Sequence, residues 1–223
     1  KIDILNFLSY YVSIKDIDTM NFIKHTYYAY SKALPKKICE EIIDEGESKQ
    51  LMFSSTFKEA LKKNKKHYRS INSLKIRNSH NSWLQPFWIY KEIKPYIESS
   101  NRLGGWNFNY NVIELFQFTK YEGTQKQHYT WHSDNASSDE KTEQVRKLST
   151  IIMLSDPKNF KGGDLEFYEY GPPKMKNKIL KTNNIKHQGT IITFPSFLIH
   201  RVLPVTKGVR YSLVVWHKGP PLR

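Results

Sequence analysis

The sequence predicts an α+β protein, with helices gathered in the first half and antiparallel strands in the second. Three observations predict it. Apolar residues recur at helical spacing in two early segments, the pattern changes after Gly104-Gly105, and strand-like runs rich in β-branched and aromatic residues follow. A first helix is expected from Pro35 to about Glu47, where Pro suits a first turn, Cys39, Ile42 and Ile43 share a face, and a Gly marks the end. A second is expected from about Ser82 to Ser100, with Trp83, Phe87, Trp88, Ile93, Tyr96 and Ile97 as its buried stripe. The strand runs are "WNFNYNVIELFQF", "RKLSTIIML", "DLEFYEY", "GTIITFP", "RVLPV" and "VRYSLVVWH". Helices before strands give a layout in which the helices brace one face of a β-sandwich or barrel.

At 223 residues the chain can bury one sizeable core, and a single domain is expected. The 39% apolar and 14% aromatic content excludes wholesale disorder, and no apolar run reaches the length of a membrane span. No signal-peptide pattern opens the chain, although its first residue is Lys1 rather than Met. A single cysteine, Cys39, excludes an internal disulfide framework, fits a buried structural thiol, and points to the cytoplasm. The net charge of +14 suits a nucleic acid or an acidic polypeptide, or reflects a compositional bias, since the lysines are spread along the chain. The densest basic cluster, Lys58 to Arg69, reads as a solvated face, and a nucleic-acid role is not favoured.

The chemistry-bearing stretch is "HYTWHSDN". In an extended segment His132 and Asp134 project from one face and make a two-toothed metal chelate lacking a third ligand. His200 follows an apolar strand and a Pro-Ser turn, flanked by Ile199 and Val202. Alone it reads as a structural histidine. Set beside His132 and Asp134 it completes two His and one carboxylate, the facial set that holds non-haem Fe(II) and leaves other positions open. His128 is the competing ligand, and the remaining histidines have no partner at informative spacing. The polar residues 133–147 read as a mobile loop beside the chelate.

In "VRYSLVVWH", alternation puts Arg210, Ser212, Val214 and Trp216 on one strand face and Val209, Tyr211, Leu213 and Val215 on the other. An inward guanidinium is costly unless an anion meets it. Either a small dicarboxylate, gripped by the planar fork, or a core Asp or Glu supplies that anion.

The segments "WHSDN", "FKGGDL", "GTIITFPSFLIHRVLPV" and "GVRYSLVVWHKGP" resemble the double-stranded β-helix core of the iron(II)- and 2-oxoglutarate-dependent oxygenases, specifically the prolyl 4-hydroxylase-like branch that includes bacterial and viral members. The resemblance spans 106–218, extends weakly through the preceding helices, and leaves the first thirty residues unexplained. It implies an α+β fold with a jelly-roll catalytic core over 106–218, supported on one face by a mainly helical segment, 1–105, within one domain, 1–223. It implies Fe(II) held by His132, Asp134 and His200, with 2-oxoglutarate as co-substrate and ascorbate as accompanying reductant. Arg210 would bind the distal carboxylate with Ser212 or Tyr121 as hydroxyl helper, and Tyr129, Ile151, Leu165 and Trp216 would line the co-substrate pocket.

One departure stands out: Met153 occupies the place where some animal members carry a Tyr that binds the same carboxylate. The Gly162-Gly163 pair does match, as a tight turn. The activity implied is hydroxylation of a prolyl residue in a peptide or protein, with 2-oxoglutarate converted to succinate and CO2. Two alternatives stay open. The same iron centre could act on a lysyl residue, a free amino acid or a nucleobase, or a cupin-like metal-binding sandwich could serve protein interaction without catalysis.

Overall fold

The computed structural model describes residues 25–54, 76–85, 87–135, 144–169, 178–182 and 185–221. The basic cluster at 58–69, positions 136–143 of the expected loop and the first 24 residues lie outside the described residues. The elements in chain order are β1 (Tyr28–Tyr30), α1 (Lys36–Ser48), β2 (Met52–Phe53), β3 (Arg77–Asn78), β4 (His80–Leu84), α2 (Phe87–Leu103), β5 (Val112–Ile113), β6 (Phe116–Glu122), β7 (His128–His132), β8 (Val145–Met153), β9 (Phe160–Gly162), β10 (Leu165–Glu169), β11 (Lys178–Lys181), β12 (Ile191–Pro195), β13 (His200–Val202) and β14 (Val205–Gly219).

The strands pair antiparallel in two sheets. The major sheet runs β1-β12-β8-β14-β6-β4-β2, with β5 and β9 also on β14, and the minor sheet runs β11-β10-β13-β7-β3. β14 lies at the centre because its alternation offers two buried faces. Across from it, Arg210 pairs with Tyr121, Ser212 with Thr119 and Met153, and Val214 with Gln117 and Ile151. These residues share the face turned to the minor sheet. There Tyr121, Ile151, Met153, Ile192 and Phe194 pack with Leu165, Phe167 and Val202 of the facing strands. Leu213, Val215, Ile152 and Phe118 point the other way, onto Ile42, Ile89, Ile93 and Ile97 of the two helices. The result is a double-stranded β-helix braced on one face by helices, as the sequence implied.

Two helix expectations need correction. The second helix begins at Phe87, not Ser82, because 80–84 is strand β4, whose Ser82 and Leu84 are buried while Trp83 is 41% exposed. Pro86 explains the break, since its ring disfavours helix in the residue before it. The buried stripe of α2 is Ile89, Ile93, Ile97 and Ser100, and Phe87 is 70% exposed. Within 1–105 the two helices are joined by β1 to β4, which enter both sheets. β1 was not foreseen, and it extends the major sheet beside β12.

Gly46 does not terminate the first helix. It lies within α1, buried, where a Cβ would stand 2.4 Å from Phe118 Cγ, and its carbonyl accepts a 2.8 Å hydrogen bond from Ser82 Oγ. Its lack of a side chain lets the helix approach the sheet. Gly46→Ala is therefore expected to destabilise the fold by about 1–3 kcal/mol, read as a lowered urea midpoint with unchanged slope.

His217, on the helix side of β14, is fully buried with neither ring nitrogen hydrogen-bonded, between Tyr110 at 4.8 Å and Tyr90 at 6.0 Å. Burial pushes its pKa down to about 4. Because the folded value is depressed, the unfolded chain binds the extra proton first as pH falls. Stability is thus expected to drop between about pH 6.5 and pH 4, by about 3 kcal/mol in all. His217→Phe should flatten that part of the stability–pH curve, measured by urea unfolding.

Candidate metal centre

His132 ends β7 and His200 opens β13, and the register sets them directly opposite one another. Asp134 sits two residues past the strand, held by its backbone N–H donating to Ser196 O at 2.8 Å. One ligand atom from each of the three residues lies within 4.8 Å of the others. His132 Nε2 is 3.7 Å from Asp134 Oδ1, and His200 Nε2 is 3.7 Å from Asp134 Oδ2.

The tautomers follow from backbone partners. His132 Nδ1 lies 2.8 Å from Thr130 O and His200 Nδ1 lies 2.9 Å from Leu198 O. A carbonyl only accepts, so each Nδ1 carries the hydrogen, and in the neutral ring each Nε2 presents a lone pair. Burial, and next the neighbouring His200, holds the His132 imidazole well below its ordinary pKa and hence neutral. Burial pushes the Asp134 carboxyl up. His200, His132 and the hydrogen bonds from Trp216 and Ser149 outweigh it and keep the group ionised. Two lone pairs and an anion converging with no proton between them fit a cation.

Asp134 is oriented from behind. Trp216 Nε1 donates to Oδ2 at 2.9 Å and Ser149 Oγ donates to the same oxygen at 2.7 Å. Since that Ser149 proton is committed, the 2.9 Å contact to Ser196 is a hydrogen bond donated by the Ser196 hydroxyl. The Arg146 guanidinium covers Trp216 at 3.9 Å and is itself held by Glu114.

Deeper in the barrel, Arg210 is 1% exposed. Its Nη1 donates to Ser212 Oγ at 3.1 Å, its Nη2 to Met153 Sδ at 3.4 Å, and its Nε has no partner. Tyr121 meets it with a ring face, 5.4 Å from the guanidinium carbon, rather than with a hydrogen bond. Met153 thus stands beside the guanidinium where a tyrosine hydroxyl was the alternative. Among the described residues no carboxylate lies within ion-pair distance of Arg210, which removes the core ion pair as an explanation for its burial. Burial lowers its pKa. Gly163 makes room for it, because a Cβ there would stand 2.7 Å from Arg210 Cδ. Thr119 Oγ1, on the strand position paired with Ser212, is also buried without a partner. An orphaned guanidinium N–H and an orphaned hydroxyl on one sheet face suit a bound carboxylate.

The structure therefore brings together His132, Asp134 and His200, with Trp216 against them and Tyr129 stacked on the His132 ring at 3.4 Å. Ile151 and Leu165 are buried in the same interior as Tyr121. His128, the competing ligand, is outside the cluster. Sequence reasoning missed Ser149, Thr119, Arg146 and Arg77, the last stacked on Tyr129 at 4.6 Å and donating to Gln117 Oε1 at 2.7 Å. A serine in the apolar run "KLSTIIM", two positions from Ile151, was the one usable signal.

A jelly roll with a buried His-Asp-His cluster and an unpaired arginine beside it defines a mononuclear non-haem metal site. Residues 116–218 match the model of the 2OG-Fe(II) oxygenase superfamily. The likeness within it is to the prolyl 4-hydroxylase-like branch. A PKHD-type hydroxylase of Pseudomonas putida (strain W619) is 35% identical over 92 residues, 40% of this chain and 37% of that protein. Another, of Xanthomonas axonopodis, is 31% identical over 105 residues, covering 44% and 41%. The chain spans about two fifths of the length of these relatives. In structure it is similar to the viral collagen prolyl hydroxylase of Paramecium bursaria Chlorella virus-1, with a TM-score of 0.57, 22% identity and coverage of 87% and 97%. It is also similar to a Trichoplax adhaerens prolyl hydroxylase solved with a hypoxia inducible factor peptide fragment, at TM-score 0.57, 18% identity and coverage of 91% and 86%. Fe(II) and 2-oxoglutarate are the metal and co-substrate this site fits, the first by its lone pairs and the second by the unpaired donors around Arg210. Among the described residues no helix is long and apolar enough to cross a membrane.

Proposed function

We propose that this chain hydroxylates a prolyl residue in a peptide or protein. The observation that carries the reading is the convergence, in one barrel interior, of a cation-seeking triad and a buried guanidinium with no carboxylate in ion-pair range among the described residues. The prolyl choice is supported by the named activities of the structural neighbours, one of them solved with a peptide fragment.

In this reading His132, Asp134 and His200 would hold Fe(II). Bound there with 2-oxoglutarate and dioxygen, the metal supplies the oxidising power that converts C–H to C–OH, while 2-oxoglutarate leaves as succinate and CO2. The protein's part is positioning. Arg210 binds the distal carboxylate through Nε, with Ser212 and Thr119 hydroxyls beside it. Ile151, Met153, Leu165 and Phe194 keep the interior dry, which strengthens every charge interaction within it. Trp216 and Ser149 hold the Asp134 carboxylate in one orientation.

The test is an anaerobic titration with Fe(II) and 2-oxoglutarate, followed by oxygen, ascorbate and a panel of proline-rich peptides. A weak visible charge-transfer band, succinate formation and a peptide mass gain of one oxygen on proline are expected. Absence of the band sinks the iron assignment, and oxygen incorporated elsewhere than proline sinks the substrate assignment alone.

A further inference from the structure

At the end of the barrel away from the metal centre, the fold gathers lysines that the sequence scatters. Lys161 and Lys207 are direct partners across the β9–β14 pair, and both are exposed. Like charges set opposite each other on a sheet repel, so this pairing works against the fold. The 3-10 turn Gly123–Gln125 packs on the same strand, for a Cβ at Gly123 would stand 2.6 Å from Lys207 Cα. The turn is capped by Lys126, exposed and held at φ 49°, a left-handed conformation in which glycine or asparagine costs less. Lys158 is exposed in the turn before β9, where the next residue, Asn159, sets its carbonyl against Gly208. None of the four lysines has an ion-pair partner among the described residues. The neighbouring carboxylates are committed elsewhere, Asp164 to Lys186 and Glu122 to Lys120 and His80, while Asp156 Oδ1 accepts from the Lys158 backbone N–H at 2.9 Å.

We infer that this end of the barrel is a docking surface for the phosphate backbone of double-stranded nucleic acid. Two locally unfavourable choices, a like-charged cross-strand pair and a lysine in the left-handed region, stand side by side, and both concentrate positive charge there. Lysine is a hydrated point charge without the planar fork that grips a carboxylate, and no arginine joins the four. A row of phosphates suits such a set better than an acidic peptide does. The exposed residues beside the lysines are Thr124, Gln125, Asn159, Thr206 and Gly208, none of which offers a ring on which single-stranded bases could stack. The contact is therefore with a duplex backbone and indifferent to base sequence. The net charge of +14 draws such a polyanion in over long range. Trp216 lies nine residues beyond Lys207 on β14, roughly 30 Å at about 3.3 Å per residue, so a duplex held here leaves the metal centre open. The inference stands independently of the substrate proposed above.

The test titrates the whole protein against a fluorescein-labelled duplex of mixed sequence, about 30 base pairs long, by anisotropy between about 50 and 300 mM salt. A fourfold variant, Lys126→Gln, Lys158→Gln, Lys161→Gln and Lys207→Gln, is expected to lower the slope of log K against log salt by about 3–4, close to 0.9 for each lost phosphate contact. At about 0.1 M salt it should bind at least tenfold more weakly. A control with the same charge change at exposed Lys49, Lys91, Lys178 and Lys181 should lower the slope by less than about 1. Lys126→Gly alone should take about 1 off the slope while holding or raising the urea midpoint, because glycine relieves the left-handed backbone. Equal slopes for the two fourfold variants overturn the inference, since net charge alone then sets the binding. A parent protein that retains no duplex overturns it as well. Tighter binding to polyglutamate, or to vesicles containing phosphatidylserine, than to duplex at equal salt does the same, for the surface then serves an acidic protein or a membrane.

Discussion

Asp134→Asn is expected to abolish 2-oxoglutarate turnover, with a loss of at least about 10³-fold, while the protein still folds. The asparagine oxygen would keep the donors from Trp216 Nε1 and Ser149 Oγ, since those fix the inner position of the side chain. Its NH2 group would then take the Oδ1 place and face the His132 Nε2 lone pair, 3.7 Å away, while the neutral oxygen in the Oδ2 place faces His200 Nε2. A donor replaces an anion at the point where three ligand atoms meet. Metal content by plasma emission should fall to background, and succinate formation with it. Retained metal together with full turnover would remove Asp134 from the ligand set, and the same criterion applies to His132→Ala and His200→Ala.

Arg210→Met is expected to do two things at once. Without co-substrate the variant should be as stable as the parent or more so, by about 1–3 kcal/mol, because a buried charge with no ion-pair partner among the described residues is replaced by an apolar chain of similar volume. With 2-oxoglutarate at a hundred times its dissociation constant the parent gains about 2.7 kcal/mol and the variant gains nothing, so the difference shifts toward the parent by that amount. Arg210→Lys keeps the charge and loses the fork. Its apparent KM for 2-oxoglutarate should rise roughly 10- to 100-fold, the worth of one charge-assisted hydrogen bond. Thermal unfolding with and without 2-oxoglutarate, and coupled succinate kinetics, measure both. If Arg210→Met is stabilised by 2-oxoglutarate as much as the parent, another residue is the anchor.

Local sequence carried the triad because its members announce themselves over short distances. His132 and Asp134 lie two apart at a strand end, and His200 follows a Pro-Ser turn where an apolar strand stops. Arg210 was legible through strand parity alone. The second helix was misread because its aromatic stripe seemed to continue through "HNSWL", which the fold uses as a strand beside β6. Gly46 looked like a stop signal because the spacing of the helix to Phe118 is not written near it.

What the sequence by itself determined is the alternation of β14 and the residue types of the His-Asp-His cluster and of Arg210, since side-chain period and ligand chemistry are local properties. What only the tertiary structure decided is which side chains stand behind them. Trp216 reaches Asp134 across 82 positions, and Thr119 joins Ser212 only through the register of β6 on β14. Lys161 and Lys207 meet by the same route. Register couples residues far apart in the chain, and it is set by the summed fit of whole sheets rather than by any short run of residues.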